Sequence, residues 1–471
     1  MHEMSDLTIW TTVLIFVATI YAVIKGTIDS SAAALLGVLA MVWTGTMTES
    51  EAFKAVDWNV IAILLSIWII AGYLGKTGIP EWLAGQALRL SGGHGGLLVM
   101  MLSMLAGIIS LVVDNVVVIL MLAPVAIPLA RHLKIPLTPV ILMIGFSSNF
   151  MGTALLLGDL PPQLLHSVAH AEFGEFIWQD GRPSSFPILM VTFVLTLAIM
   201  YVYGFRGGRR PASDDRDQSA EFAAAGPTPK PVGAQVADAS PNAAPNALPF
   251  STEIPDKRFA RIVLYWFTAT ILAMTFREQL GKYLGFIALS GAIGLITHVE
   301  ILGHRLKKPE FEEVLQELDW RAVFFYIGLF ALVGGFEHTG LLTQLAAWLE
   351  PLFRENLAVG ATLLYWMTVP IVGVVEHDAY ILTFLYMIRD IGATGIDPWP
   401  LYWMLVWSGT LGSNLTIAGA PALYVALNIC EREEKRKISL KEFLRWSIMF
   451  AITSSLICYV FGMLIWVLPN A

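Results

Sequence analysis

Eight almost purely apolar stretches recur along this chain: Leu7–Ile24, Ala32–Thr48, Trp58–Gly75, Phe186–Gly204, Ile262–Phe276, Leu284–His298, Trp320–Phe336 and Trp446–Val467. Most approach the ~20 residues that carry a helix across a bilayer. In lipid every backbone N–H and C=O must be satisfied within the segment, so such stretches are helices. Of 471 residues, 56% are hydrophobic and 14% are Asp, Glu, Lys or Arg. A soluble protein cannot hide that much apolar surface, because about half its accessible area stays wet. Disordered chains, disulfide scaffolds and nucleic-acid binders are excluded by the same numbers. Cys430 and Cys458 make neither a bridge framework nor a metal spacing. The first apolar run lacks a basic leader region and reads as a span, not a cleavable signal. The fold class is an all-α polytopic membrane protein.

Residues 211–250 are different, with 11 Ala and 7 Pro among scattered polar residues. That composition builds no packed core and predicts a disordered linker, here 206–258. It separates a first transmembrane repeat, 1–205, from a second, 259–471. The halves match. Adding 262 maps Asp57-Trp58 onto Asp319-Trp320, Gly72 onto Gly334, and Thr77-Gly78 onto Thr339-Gly340. It also maps Val112-Val113-Asp114 onto Val374-Val375-Glu376, and a slightly larger offset maps Ser148-Asn149 onto Ser413-Asn414. Ordered matches of this length indicate an internal duplication, as transporters show.

Two segments in each half are not simple spans. Leu97–Arg131 carries Asp114-Asn115 at its middle, and Val359–Arg389 carries Glu376-His377-Asp378. Flanking runs of about 15 residues are too short to cross, so each segment predicts a re-entrant hairpin. Pro139–Ala171 and Trp399–Cys430 are interrupted at Ser148-Asn149 and Gly158-Asp159, and at Ser413-Asn414 and Gly419-Ala420. Each predicts one broken span. Each half then makes five crossings, an odd number, so the repeats are inverted. With the linker placed in the cytoplasm and the N-terminus outside, 23 of the 29 Lys and Arg lie inside. That asymmetry favours this orientation in an inner membrane.

Broken helices leave N–H and C=O groups unpaired near the midplane. Asn115, Ser148, Asn149, Thr153, Ser413, Asn414 and Thr416 add neutral oxygens and amides there. Acids at this depth are costly and mark ion paths. Asp114 and Asp159 each read as a helix cap, a cation ligand, or both. Glu376, His377 and Asp378 form a cluster that must pair, exchange protons or face water. It is the candidate proton carrier, with a pinned tip as the alternative. No Lys or Arg lies between Gly95 and Pro128, Pro139 and Pro161, Gly360 and Phe384, or Pro398 and Cys430. Proton, Na⁺ or a neutral solute therefore suits the site better than a multivalent anion. His166 and His170 have a zinc-compatible i,i+4 spacing, but two ligands make no site. No metal and no cofactor is expected beyond a coupling H⁺ or Na⁺.

The tip Asp114-Asn115 with Ala123-Pro124, and the break Ser148 through Thr153 to Gly158-Asp159-Leu160-Pro161, resemble the ion transporter superfamily. The likeness is nearest its arsenite-permease and sodium/proton-antiporter branch, with a citrate-transporter-like domain. Gly412 through Thr416, Gly419-Ala420, Glu431-Arg432-Glu433 and Ile438 through Phe443 resemble its C-terminal signature. The resemblance implies a dimeric secondary transporter with a rigid frame around a mobile unit. It places site roles on Asp114, Asn115, Asn149, Thr153, Asp159, Asn414 and Thr416. The second tip departs from the usual Asp-Asn pair. The expected activity is transport of a small inorganic ion or an arsenite-like neutral oxyacid by proton-linked exchange or extrusion. Sodium/proton antiport and sodium-coupled carboxylate symport are the alternatives. A membrane enzyme is disfavoured, because it would place an asymmetric catalytic set at one water interface. The partners are the solute and the bilayer, not nucleic acid.

Overall fold

The computed structural model describes residues 6–25, 28–92, 94–205, 254–303, 306–375, 377–417 and 419–470. Of the expected linker, 206–258, residues 206–253 lie outside them, as does Glu376, and helix begins at Lys257, so the linker's last two residues are helical.

The first half comprises α1 (Asp6–Lys25), α2 (Ser30–Trp43), α3 (Glu49–Ala55), α4 (Trp58–Gly75), α5 (Ile79–Leu90), α6 (Gly95–Ser110), α7 (Asn115–His132), α8 (Leu137–Gly152), α9 (Leu160–Ala169) and α10 (Ser185–Met200). A two-stranded ribbon, β1 (Trp178–Gln179) and β2 (Arg182–Pro183), precedes α10. The second half comprises α11 (Lys257–Thr275), α12 (Arg277–Leu280), α13 (Leu284–Ile301), α14 (Phe311–Gln316), α15 (Trp320–His338), α16 (Leu341–Glu355), α17 (Leu357–Val372), α18 (His377–Gly392), α19 (Trp399–Ser413), α20 (Pro421–Glu434) and α21 (Leu440–Gly462). The chain is a multi-pass, all-α membrane protein.

The duplication extends to individual hydrogen bonds. Asp57 caps α4, accepting from Asn59 N and Val60 N, and Asp319 caps α15, accepting from Ala322 N. Trp58 Nε1 donates to Phe53 O at 3.2 Å, and Trp320 Nε1 donates to Leu315 O at 2.9 Å. Thr77 Oγ1 donates to Leu74 O and accepts from Ile79 N; Thr339 Oγ1 does the same with Phe336 O and Leu341 N. Gly78 (φ +79°) and Gly340 (φ +71°) both turn through the left-handed region, which glycine enters without steric cost, to start α5 and α16.

Six described helices are long and apolar enough to cross a membrane: Trp58–Gly75, Asn115–His132, Ser185–Phe205, Leu284–Ile301, Trp320–His338 and Leu440–Asn470. Five match expected spans. The sixth, α7, is the return arm of the first hairpin. It runs to 18 residues because Pro124 and Pro128 stay inside the helix, so the arm is longer than the 15-residue run read from the sequence. It still returns. A Cβ on Gly95, at the start of α6, would meet Ile135 Cγ2 at 2.8 Å, just past the end of α7. A Cβ on Gly96 would meet Phe205 O at 2.9 Å, so both hairpin feet sit where α10 ends. The feet of the second hairpin, α17–α18, are joined by Arg354 Nη2 donating to Thr394 O at 2.9 Å. Close to them, Asn470 Nδ2 donates to Asp397 Oδ2, and Arg182 Nη2 donates to Asn470 Oδ1. Arg182 precedes α10, so the two hairpins enter from opposite ends of that helix. Below, the end at Phe205 is the linker end and the end at Arg182 the far end.

Two packed groups result. The outer group joins α1, α2, α4, α11, α13 and α15, with α4 on α13 and α2 on α15. The inner group joins both hairpins and both broken helices with α10 and α21. α8 and α19 form its centre. Every residue of α8 and all but the first of α19 are buried, as expected of helices apolar on all sides.

Candidate functional site: two helix breaks joined at the centre

Each break ends one helix and starts another within a few residues. α8 ends at Gly152 and α9 starts at Leu160; α19 ends at Ser413 and α20 starts at Pro421. Pro161 and Pro421, each in the first turn of its helix, cost no hydrogen bond there. Both breaks are closed by glycine. A Cβ on Gly158 would lie 2.1 Å from Ser110 O, and one on Gly419 would lie 2.2 Å from Ser413 O.

Asp159 caps α9, its Oδ1 accepting from Leu160 N at 2.9 Å. Its Oδ2 accepts from Asn115 Nδ2, also at 2.9 Å. Asn115 Nδ2 donates at the same distance to Asn149 Oδ1. Asn149 Nδ2 in turn donates to Ser413 Oγ at 2.9 Å, and Ser413 Oγ donates to Thr410 O at 2.8 Å. This chain runs from a first-half carboxylate to the second-half break through wholly buried groups. Thr153 Oγ1 and Thr410 Oγ1, 2.6 Å apart, form a second crossing. Thr153 O accepts from Ser185 Oγ, which accepts from Trp407 Nε1 at 3.0 Å. Ser148 O accepts from Ser110 Oγ at 2.7 Å.

Asp114 sits at the first hairpin tip and caps α7, accepting from Val116 N at 2.9 Å and Val117 N at 3.3 Å. At the second tip His377 and Asp378 are buried, with Nε2 to Oδ1 3.4 Å. Thr416 Oγ1 donates to Gly373 O, tying the second break to the second hairpin. Asn414 Nδ2 donates to Thr410 O at 3.4 Å, and its Oδ1 is buried without a protein partner among the described residues.

The structure therefore brings Asn115, Asn149, Thr153, Asp159 and Ser413 into one network. Ser148, Asn414 and Thr416 brace it. Asp114, His377 and Asp378 lie at the tips. The second half offers Ala420 where the first has Asp159, so the carboxylate on the break is one-sided. Ser110, Ser185, Thr410 and Trp407 were not legible as site residues. They are ordinary members of apolar helices, and only the contact reveals them. Among the described residues no group of three His, Cys, Asp or Glu is arranged for a metal. His170 caps α9 in the left-handed region, φ +58°, while His166 bonds elsewhere.

The comparisons with known proteins show a secondary transporter of the ion transporter superfamily, not an enzyme. A family model described as "Citrate transporter" matches residues 13–408, and the chain belongs to that family. An uncharacterized transporter of Mycobacterium tuberculosis is 26% identical over 447 residues, covering 92% of this chain and 93% of its own. The magnetosome protein MamN of Magnetospirillum gryphiswaldense is 24% identical, covering 93% and 94%. Among solved structures, the YdaH transporter of Alcanivorax borkumensis superposes with a TM-score of 0.52 at 13% identity, covering 98% of both chains. MtrF of Neisseria gonorrhoeae, described within a class of antimetabolite efflux pumps, gives 0.54 at 13% identity, covering 98% of this chain and 96% of its own. These two share the fold.

Proposed function

We propose that the chain is an ion-coupled transporter of the inner membrane that moves a small inorganic ion or a neutral oxyacid of the arsenite kind. Transport is proton-linked exchange or extrusion. One observation carries this reading. The buried ionisable side chains around the breaks and tips are Asp114, Asp159, His377 and Asp378, and among the described residues no Lys or Arg is buried beside them. An acidic, cation-free interior attracts protons, Na⁺ or uncharged hydroxylated solutes. In this reading Asp114, Asn115, Ser148, Asn149, Thr153, Asp159, Ser413, Asn414 and Thr416 bind the solute and coupling ion. Glu376, His377 and Asp378 pass protons. The opposed hairpins support inverted repeats, and the 23 to 6 split of Lys and Arg supports a cytoplasmic linker end. The assembly is a homodimer.

The family description, "Citrate transporter", favours carboxylate transport, and the second reading is a sodium-coupled carboxylate symporter. A polycarboxylate in so acidic a centre needs co-bound cations to offset its charge.

Vesicles holding the protein and a pH dye decide between them. Arsenite, Na⁺, Li⁺ and citrate are added in turn. A pH change with arsenite, or with Na⁺ or Li⁺ alone, supports proton-linked exchange and says which. If none moves protons, the proposal fails. Sodium-dependent citrate uptake alone establishes the second reading.

A further inference from the structure

His166 lies outside the central network, on the face where the inner group meets the outer. It is 6% exposed. Its Nδ1 is 2.8 Å from Ala171 O, a group that only accepts, so Nδ1 carries the ring hydrogen of the neutral form. Its Nε2 is 3.4 Å from Asn59 Nδ2, on α4 of the outer group. The orientation of that amide is fixed from its other side. Asn59 Oδ1 accepts from Gly285 N at 2.7 Å, one of the backbone donors that the first turn of α13 leaves without a helical partner. Nδ2 must therefore face the ring, and neutral Nε2 accepts from it.

We propose that His166 is a second proton-binding site, separate from the central acids, whose protonation turns the Asn59 amide and releases Gly285 N at the start of α13. A proton on Nε2 sets two donors against each other. Turning the Asn59 amide to offer Oδ1 would strip Gly285 N of its acceptor. The turned amide keeps α9 on α4 and gives up the bond from α4 to α13. The charged groups facing the ring are Asp57 on α4, Glu172 after α9 and Arg277 on α12. Asp57 Oδ2 accepts from Ser167 Oγ at 2.6 Å, and Glu172 is paired with Arg277. α18, packed along α9, brings Tyr386, Arg389 and Asp390; Arg389 pairs with Glu337 at 2.7 Å. α18 also carries His377 and Asp378 at its other end, and α19 brings Tyr402. Protonation at the far end therefore loosens α13 from α4 within the outer group. The consequence for flux rests on the transport reading above; the proton site does not.

Hydrogen exchange at Gly285 tests the site on the full protein without substrate. After correction for intrinsic exchange, protection in the wild type falls about tenfold from about pH 8 to about pH 5. His166→Phe removes that pH dependence. Asn59→Asp reverses it, because a carboxylate accepts from Gly285 N and from protonated Nε2 together. Wild-type protection that does not change with pH, or an Asn59→Asp response with the wild-type sign, overturns the proposal. Flux in vesicles then responds to acid at the far end in opposite senses in the wild type and in Asn59→Asp. Loss of flux alone, with the exchange signature intact, removes the transport reading and leaves the proton site standing.

Discussion

Asn149 Nδ2 donates to Ser413 Oγ at 2.9 Å, across an interval of 264 residues, while Asn149 Oδ1 accepts from Asn115 at the same distance. One amide thus ties a hairpin tip to its own helix break and to the break of the other half. Both of its ends are wholly buried, so neither partner finds water if the amide is removed. Asn149→Ala takes one of two bonds from each of Asn115 and Ser413, which keep Asp159 and Thr410 as partners, a cost of about 0.5–1.5 kcal/mol for each bond. Flux is expected to fall about tenfold, equivalent to about 1.4 kcal/mol on the transport barrier. Vesicle flux and thermal unfolding measured on one preparation separate the two effects. Wild-type flux in the variant would show that the link is scaffolding.

Asp159 joins a capping role to a charge, and two substitutions pull them apart. Asp159→Asn retains one acceptor, for Leu160 N, and sets its own NH2 against that of Asn115, at a cost of about 1 kcal/mol. Asp159→Ala loses the cap as well, at about 1 kcal/mol more. If the carboxylate binds the coupling cation, both variants lose ion-dependent flux and the alanine variant melts earlier than the asparagine one. Retained flux in Asp159→Asn would assign the residue to capping alone.

Much of this architecture was legible because membranes impose coarse rules. Trp58–Gly75 and Trp320–His338 begin at Asp-Trp pairs and are largely apolar; the first agrees with the sequence reading at both ends, and the second runs two residues past the expected Phe336. The breaks announced themselves through Gly158-Asp159 and Gly419-Ala420. The amphipathic α5 and α16 did not stand out, since their apolar residues are diluted by polar ones at helical spacing. The ribbon 178–183 is too short to carry a strand pattern. Within the centre, asparagines and acids were conspicuous because such groups are expensive in lipid. Ser110, Ser185 and Thr410 were not, because a hydroxyl in an apolar helix can bond to its own preceding turn. Their long-range partners exist only once the chain is folded.

The glycines at the breaks make a sharp steric prediction. Gly158→Ala would set a methyl group 2.1 Å from Ser110 O and 2.5 Å from Gly152 O, both backbone atoms that cannot swing aside. Gly419→Ala meets Ser413 O at 2.2 Å. Each is expected to cost about 1–3 kcal/mol or more by overpacking. Gly174→Ala, with nothing within 4 Å of the added methyl group, is the control. Thermal unfolding in detergent should lower the midpoint of the first two and leave the third unchanged. A normal midpoint for Gly158→Ala would mean that the break is looser than its geometry requires.

His377 and Asp378 occupy the second tip almost wholly shielded, with His377 Nε2 3.4 Å from Asp378 Oδ1. A buried imidazole beside a carboxylate can serve as a proton station or as a pin, and stability alone cannot separate the roles. The pH profile can. If the pair carries protons, His377→Ala flattens the pH dependence of flux between about pH 5.5 and about pH 8, and Glu376→Gln displaces it. Flux at the optimum then falls about tenfold, and solute binding measured without a gradient changes far less. If the pair only pins the tip, His377→Ala lowers the unfolding midpoint while the profile keeps its shape and position. Flux profiles recorded beside unfolding curves for both variants therefore assign the cluster, and an unmoved profile in both removes it from the proton path.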